Sequence, residues 1–138
     1  MNEYLKESVS NGNPIEQALI RRWWQEKHYG LGLLVWEYFV NGKYIDAVWF
    51  PNSTQSGEVP GIATNKLYPV ADIEVVLLEA KAVDLSYGLI GQALVYKVLL
   101  EGKGAVIRDV VILAQSGEEY MIHAVMKLGL SIDIRPLQ

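Results

Sequence analysis

The chain has 138 residues, a net charge of −4 and a pI near 5.1, with 51% hydrophobic and 20% charged residues. That length suits one domain with a real core, expected to span residues 1–138, and the composition is that of an ordinary globule. No apolar run reaches the roughly 18 residues of a bilayer span, no cysteine offers a disulfide or thiolate site, and a purely electrostatic binder of nucleic acid would ordinarily be basic.

Residues 1–12 read as a loose polar leader or an extra helical turn, without the apolar core of a signal peptide. With no cysteines, this fits a cytoplasmic, intracellular protein. Asn13-Pro14 marks a helix start, and Ile15, Leu19, Trp23 and Lys27 follow at helical spacing, predicting a helix over 14–28. "LLVWEYFV" (33–40) and "KYIDAVWF" (43–50) are two strand-forming runs joined by Asn41-Gly42, a strong hairpin signal. Residues 51–71 are rich in turn formers and predict a long loop, or a loop with a short excursion strand. A third main strand is expected at about 73–83, a helix at 85–102 and a buried strand at 105–114. A short helix at 117–129 and a last strand at 130–134 complete the chain. The order α-β-β-β-α-β-α-β predicts an α/β mixed sheet flanked by helices, with a hairpin feeding parallel crossovers.

The stretch "VVLLEAKAV" (75–83) carries Glu79 and Lys81 in an otherwise apolar strand. Two residues apart, they point to one face of a strand. Asp46 holds a comparable place in the preceding main strand, between Ile45 and Ala47. Neighbouring strands bring such residues within about 5 Å, where two carboxylates repel unless a proton or cation lies between them. Mg²⁺ suits that place, since it takes one or two carboxylates and keeps several waters. A cation, an oriented water and an ammonium group together suit phosphodiester hydrolysis.

These residues, Asp46 followed by Glu79-Ala80-Lys81, resemble the PD-(D/E)xK signature of restriction-endonuclease-like nucleases, with Ile45 where the signature has proline. The superfamily's α-β-β-β-α-β core is similar to the order read over about 14–114, with an additional C-terminal α-β here. Two further matches are Glu16 on the first helix and Gln92, followed by Tyr96, on the helix after the lysine. The resemblance implies a nuclease dependent on Mg²⁺ or Mn²⁺, acting on nucleic acid, with DNA as the expected substrate. It implies a metal held by Asp46, Glu79 and the Ala80 carbonyl, with Glu16 serving or supporting a metal. Lys81 would place the attacking water, and Gln92 would orient phosphate or Lys81. In so small a domain, specificity is expected from the 51–71 loop, a homodimer or a partner protein. The alternative is a catalytically inactive module that keeps the fold for binding or assembly. A plainer alternative is a Glu79–Lys81 salt bridge in an unrelated α/β protein.

Other residues carry less. Glu37 reads as solvated, and Asp72 lies too far along the strand to share a metal with Glu79. His28 and His123 lack ligand spacing, and the four tryptophans read as core. Arg21, Arg22 and Lys27 form the only basic cluster, explained equally by phosphate contact or a solvated helix face.

Overall fold

The computed structural model describes residues 13–59 and 67–136. The expected leader over 1–12 and the middle of the 51–71 loop lie outside them.

Helix α1 is Pro14–His28. The Asn13 side chain accepts the Ile15 and Glu16 N–H groups at 2.7 and 3.3 Å, satisfying donors that the first turn leaves open. Tyr29 ends the helix in the left-handed region, φ 56°, with its N–H on the Trp24 carbonyl. Asn13→Ala is expected to destabilise the fold by about 1 kcal/mol, read as a lower midpoint in urea unfolding with an unchanged slope.

The buried face of α1 differs from the expected stripe. Leu19, Ile20, Trp23 and Trp24 are buried, whereas Ile15 is 42% exposed. At 100° per residue, the two adjacent pairs centre the buried face between them, and Ile15 falls about a quarter turn or more outside it. Glu16 instead falls on that face, four residues before Ile20 and seven before Trp23.

The strands are β1 (Leu33–Val40), β2 (Lys43–Phe50), β3 (Gly57–Val59), β4 (Glu74–Ala80), β5 (Val106–Ala114) and β6 (Ser131–Ile134). Helices α2 (Tyr87–Gly102) and α3 (Glu119–Lys127) complete the described elements. The six strands form one mixed sheet in the order β3-β1-β2-β4-β5-β6. The β1-β2 hairpin turns at Asn41-Gly42, φ 48° and 79°, as the sequence predicts. β2 and β4 are antiparallel; β4-β5 and β5-β6 are parallel, bridged by α2 and α3. The short strand in the 51–71 loop is β3, parallel to β1.

The sheet is covered on both faces. α1 packs Leu19, Ile20, Trp23 and Trp24 with Leu34, Trp36, Ala47, Trp49 and Leu78. On the other face α2 and α3 pack Leu89, Ala93, Leu100 and Val125 with Val35, Val48, Leu77 and Ile112. Central strands buried on both sides explain the near-continuous apolar runs. The tryptophans are core, as expected, and the indole N–H groups of Trp24, Trp36 and Trp49 are hydrogen-bonded. Trp24 and Trp49 both donate to the Leu31 carbonyl at 2.7 Å. Next to it, Gly32 (φ 76°) passes so close to β2 that a Cβ would stand 2.6 Å from the Phe50 carbonyl oxygen.

Part of the basic cluster has a structural role. Arg21 makes two bonds to Glu58 of β3, at 2.8 and 2.9 Å, and Trp36 donates to the same carboxylate at 2.8 Å. Burial alone would raise the Glu58 pKa, but these donors outweigh it and hold the carboxylate ionised. Arg22 pairs with Glu26 one turn on. The Glu58 network ties α1 to the β1-β3 edge and so fixes where Glu16 meets the sheet. Among the described residues no helix is long and apolar enough to cross a membrane.

Candidate active site

In the β2-β4 ladder Ala47 faces Leu78, Val48 faces Leu77 and Trp49 faces Val76. The next pair in that register is Asp46 and Glu79. There the side chains continue what the backbone ladder began. The Asp46 N–H donates to Glu79 Oε2 at 2.7 Å, and the Ala80 N–H donates to Asp46 Oδ2 at 2.9 Å. Each carboxylate thus caps the opposite strand. The strands part at this point and open a cleft of about 390 Å³ between the sheet end and the start of α2.

All six residues expected at the site line this cleft: Glu16, Asp46, Glu79, Ala80, Lys81 and Gln92. Strand β4 ends at Ala80 and not near residue 83 as expected, because Glu16 Oε2 takes the Ala82 N–H at 3.1 Å. The Lys81 N–H still bonds the Leu113 carbonyl at 2.9 Å, which holds the lysine at the mouth. Lys81 is exposed there, and none of the ion pairs of the described residues includes it with Glu79. Gln92 stands exposed one turn into α2 and hydrogen-bonds Tyr96, which is buried. Ser86 caps α2 through the Leu89 N–H at 3.1 Å and so sets the opposite wall.

Glu79 is only 2% exposed, and Asp46 is half-buried. Burial raises the pKa of both. For Glu79 the Asp46 charge adds to this, with smaller contributions from Glu16 and Glu37. For Asp46 the Ala80 N–H and Lys81 oppose the rise, while Glu16 and Glu37 add to it. Two adjacent carboxylates, one buried and one half-buried, cannot both carry charge cheaply near neutrality. The pair calls for a shared proton or a cation.

Glu37 is a correction. It is half-buried beside Asp46 in the small recess between α1 and the sheet, and not on a solvated face. Its backbone lies in the left-handed region, φ 49°. Val35 and Tyr38 share one core face although Trp36 between them packs on the other. Ile45 and Ala47 likewise pack on opposite faces. The hairpin therefore switches faces across the Glu37/Asp46 position. A left-handed non-glycine residue in a strand costs about 1–2 kcal/mol, and such strain gathers at functional sites. The signal in sequence is a lone acid directly opposite Asp46 across a two-residue turn. Tyr44, two residues before Asp46, also lines the cleft and went unread.

The donor set fits a hard divalent cation in part. Asp46 and Glu79 supply carboxylate oxygens, and Ala80 lies between them and Lys81. Asp46 Oδ1 and Glu79 Oε1 stay outside the reciprocal pairing. Among the described residues no three histidine, aspartate or glutamate side chains converge as a ready-made metal cage. Mg²⁺ does not require one, because it retains several waters. The histidines take no part. His28 stacks between Trp23 and Trp49, at 4.5 and 4.3 Å between ring centroids, and burial lowers its pKa.

No protein-family model matches the chain, and no significant match was found among curated proteins or solved structures.

Proposed function

We propose that the protein is a metal-dependent nuclease of the PD-(D/E)xK, restriction-endonuclease-like kind, hydrolysing phosphodiester bonds of nucleic acid, with DNA as the first expected substrate. The observation that carries this is the reciprocal Asp46–Glu79 pair at the head of the cleft, with Lys81 at its mouth. The mixed sheet supports it, since the motif aspartate stands on the second strand and the E-x-K on its antiparallel neighbour.

In this reading Asp46, Glu79 and the Ala80 carbonyl hold Mg²⁺ or Mn²⁺, and Glu16 supports the site from α1. The bound cation supplies Lewis-acid polarisation of a phosphoryl oxygen. Lys81 holds the attacking water by its ammonium group and faces the negative charge that develops on phosphate. Gln92, braced by Tyr96, orients the phosphate or Lys81. The water oxygen bonds to phosphorus, the ester P–O bond breaks, and the departing oxygen takes a proton.

The second reading, an inactive module that keeps the fold for binding or assembly, is favoured by one observation. Both carboxylates are engaged with backbone N–H groups and, among the described residues, do not converge with a third ligand. Cleavage of a mixed panel of labelled DNA and RNA with Mg²⁺, Mn²⁺ or EDTA separates the two. Strand scission with Mg²⁺ or Mn²⁺ and none with EDTA is expected. A panel left intact with both metals removes the nuclease reading.

A further inference from the structure

Electrostatic capture of duplex nucleic acid needs a row of free cations along the binding site. All four arginines of the chain are tied to its own carboxylates: Arg21 to Glu58, Arg22 to Glu26, Arg108 to Glu74 and Arg135 to Asp133. Lys97 is paired with Glu101. Among the described residues Lys81 is the only lysine or arginine lining the cleft, and Glu16, Asp46 and Glu79 line it too. The net charge is −4. A phosphate rail, the main source of duplex affinity, is missing from the described lining of the cleft.

Aromatic rings stand there instead. Tyr44 lines the cleft, is 54% exposed, and is braced by Phe39 at 4.9 Å between centroids. Beside the opposite wall, and not itself part of the lining, Tyr87 opens α2 between the cleft residues Ser86 and Gly88 and is 68% exposed. Its hydroxyl is hydrogen-bonded to that of Tyr120, from the first turn of α3, which is 60% exposed. The apolar core needs none of these three rings. Each is held by a neighbour, so little side-chain freedom is lost when a flat partner lies on it. Such rings stack on unpaired bases of any sequence, whereas bases inside a duplex have no free face.

We infer that this cleft takes single-stranded nucleic acid, with unpaired bases stacked on Tyr44 and Tyr87 on either side of the carboxylate pair. This rests on the nuclease reading of the same site. It deepens that reading by assigning the substrate class: a single strand, or an unpaired stretch within a longer nucleic acid.

The test is fluorescence anisotropy with Ca²⁺ in place of Mg²⁺, using labelled single-stranded DNA, the matching single-stranded RNA and the DNA duplex of the same sequence. Single strands are expected to bind at least tenfold more tightly than the duplex. With one or two phosphate contacts, the logarithm of the single-strand binding constant is expected to fall with the logarithm of salt at a slope of only about −0.7 to −1.4. Tyr44→Ala and Tyr87→Ala are each expected to weaken single-strand binding at least fivefold. Tyr44→Phe, which keeps the ring and its Phe39 contact, should bind as the parent does, with the melting temperature of all three variants within a few degrees of it. Which single strand binds more tightly identifies DNA or RNA as the source of the stacked bases. Duplex affinity equal to that of the single strands, or alanine variants that bind normally, overturns the stacking assignment and leaves the nuclease reading in place. If the protein binds no nucleic acid of any kind, both fall together.

Discussion

Lys81→Ala is expected to lower metal-dependent cleavage at least about a hundredfold, equivalent to roughly 2.7 kcal/mol of barrier. The reason is its place. Its backbone is held by Leu113 at the end of β4, while its side chain stands at the mouth of a cleft whose other charged groups are carboxylates. Among the described residues no other lysine or arginine lines that cleft. The lysine is exposed, so its removal should leave the melting temperature close to the parent value. Cation affinity should also survive, since the carboxylates remain. A loss in rate with fold and metal binding retained would place Lys81 in the chemistry. Equal rates in parent and variant would remove it.

The second expected result concerns the carboxylate pair and has the opposite sign to most core substitutions. Glu79→Gln should stabilise the metal-free protein by about 2 kcal/mol near pH 8, while abolishing cation-dependent stabilisation. The amide keeps an oxygen for the Asp46 N–H but carries no charge, which removes both the buried charge and the repulsion. The sign follows from linkage. Both pKa values are raised by burial, to about 7 for Asp46 and about 9 for Glu79, so the folded protein retains protons that the unfolded chain releases. The pair's contribution to parent stability is therefore greatest below the ordinary carboxylate range and declines as pH rises through the raised values. The gap between Glu79→Gln and the parent should widen from pH 5 to pH 9 and nearly close at pH 4. Urea unfolding at several pH values measures it. A variant less stable than the parent at pH 8 would mean that the pair is a satisfied structural contact.

Much of this arrangement was legible in the sequence because its signals are local. Asn13-Pro14 fixes the helix start, Asn41-Gly42 fixes the hairpin, and a fixed hairpin places Asp46 in register. Glu79 and Lys81 stood out as charges in an apolar run. The pairing of Asp46 with Glu79 came from strand adjacency, although the loop between them is long. The departures have non-local causes. Ile15 matches a helical spacing, yet which face is buried depends on where the Glu58–Arg21–Trp36 network docks α1. Glu37 follows strict alternation on paper, but its left-handed backbone lets the hairpin change faces, and no residue type announces that. The end of β4 is set by Glu16 reaching across from another element to take the Ala82 N–H. Sequence alone placed Glu16 and Ala82 sixty-six residues apart with nothing to link them.

The most direct test of the site is calorimetric titration of Mn²⁺ at pH 7 in two buffers of different ionisation enthalpy. A buried pair that shares a proton must give it up when a cation takes its place. The expected result is saturable binding with net proton release, both lost in Asp46→Asn. No binding at millimolar Mn²⁺, or binding that persists unchanged in Asp46→Asn, would contradict a cation site at Asp46 and Glu79.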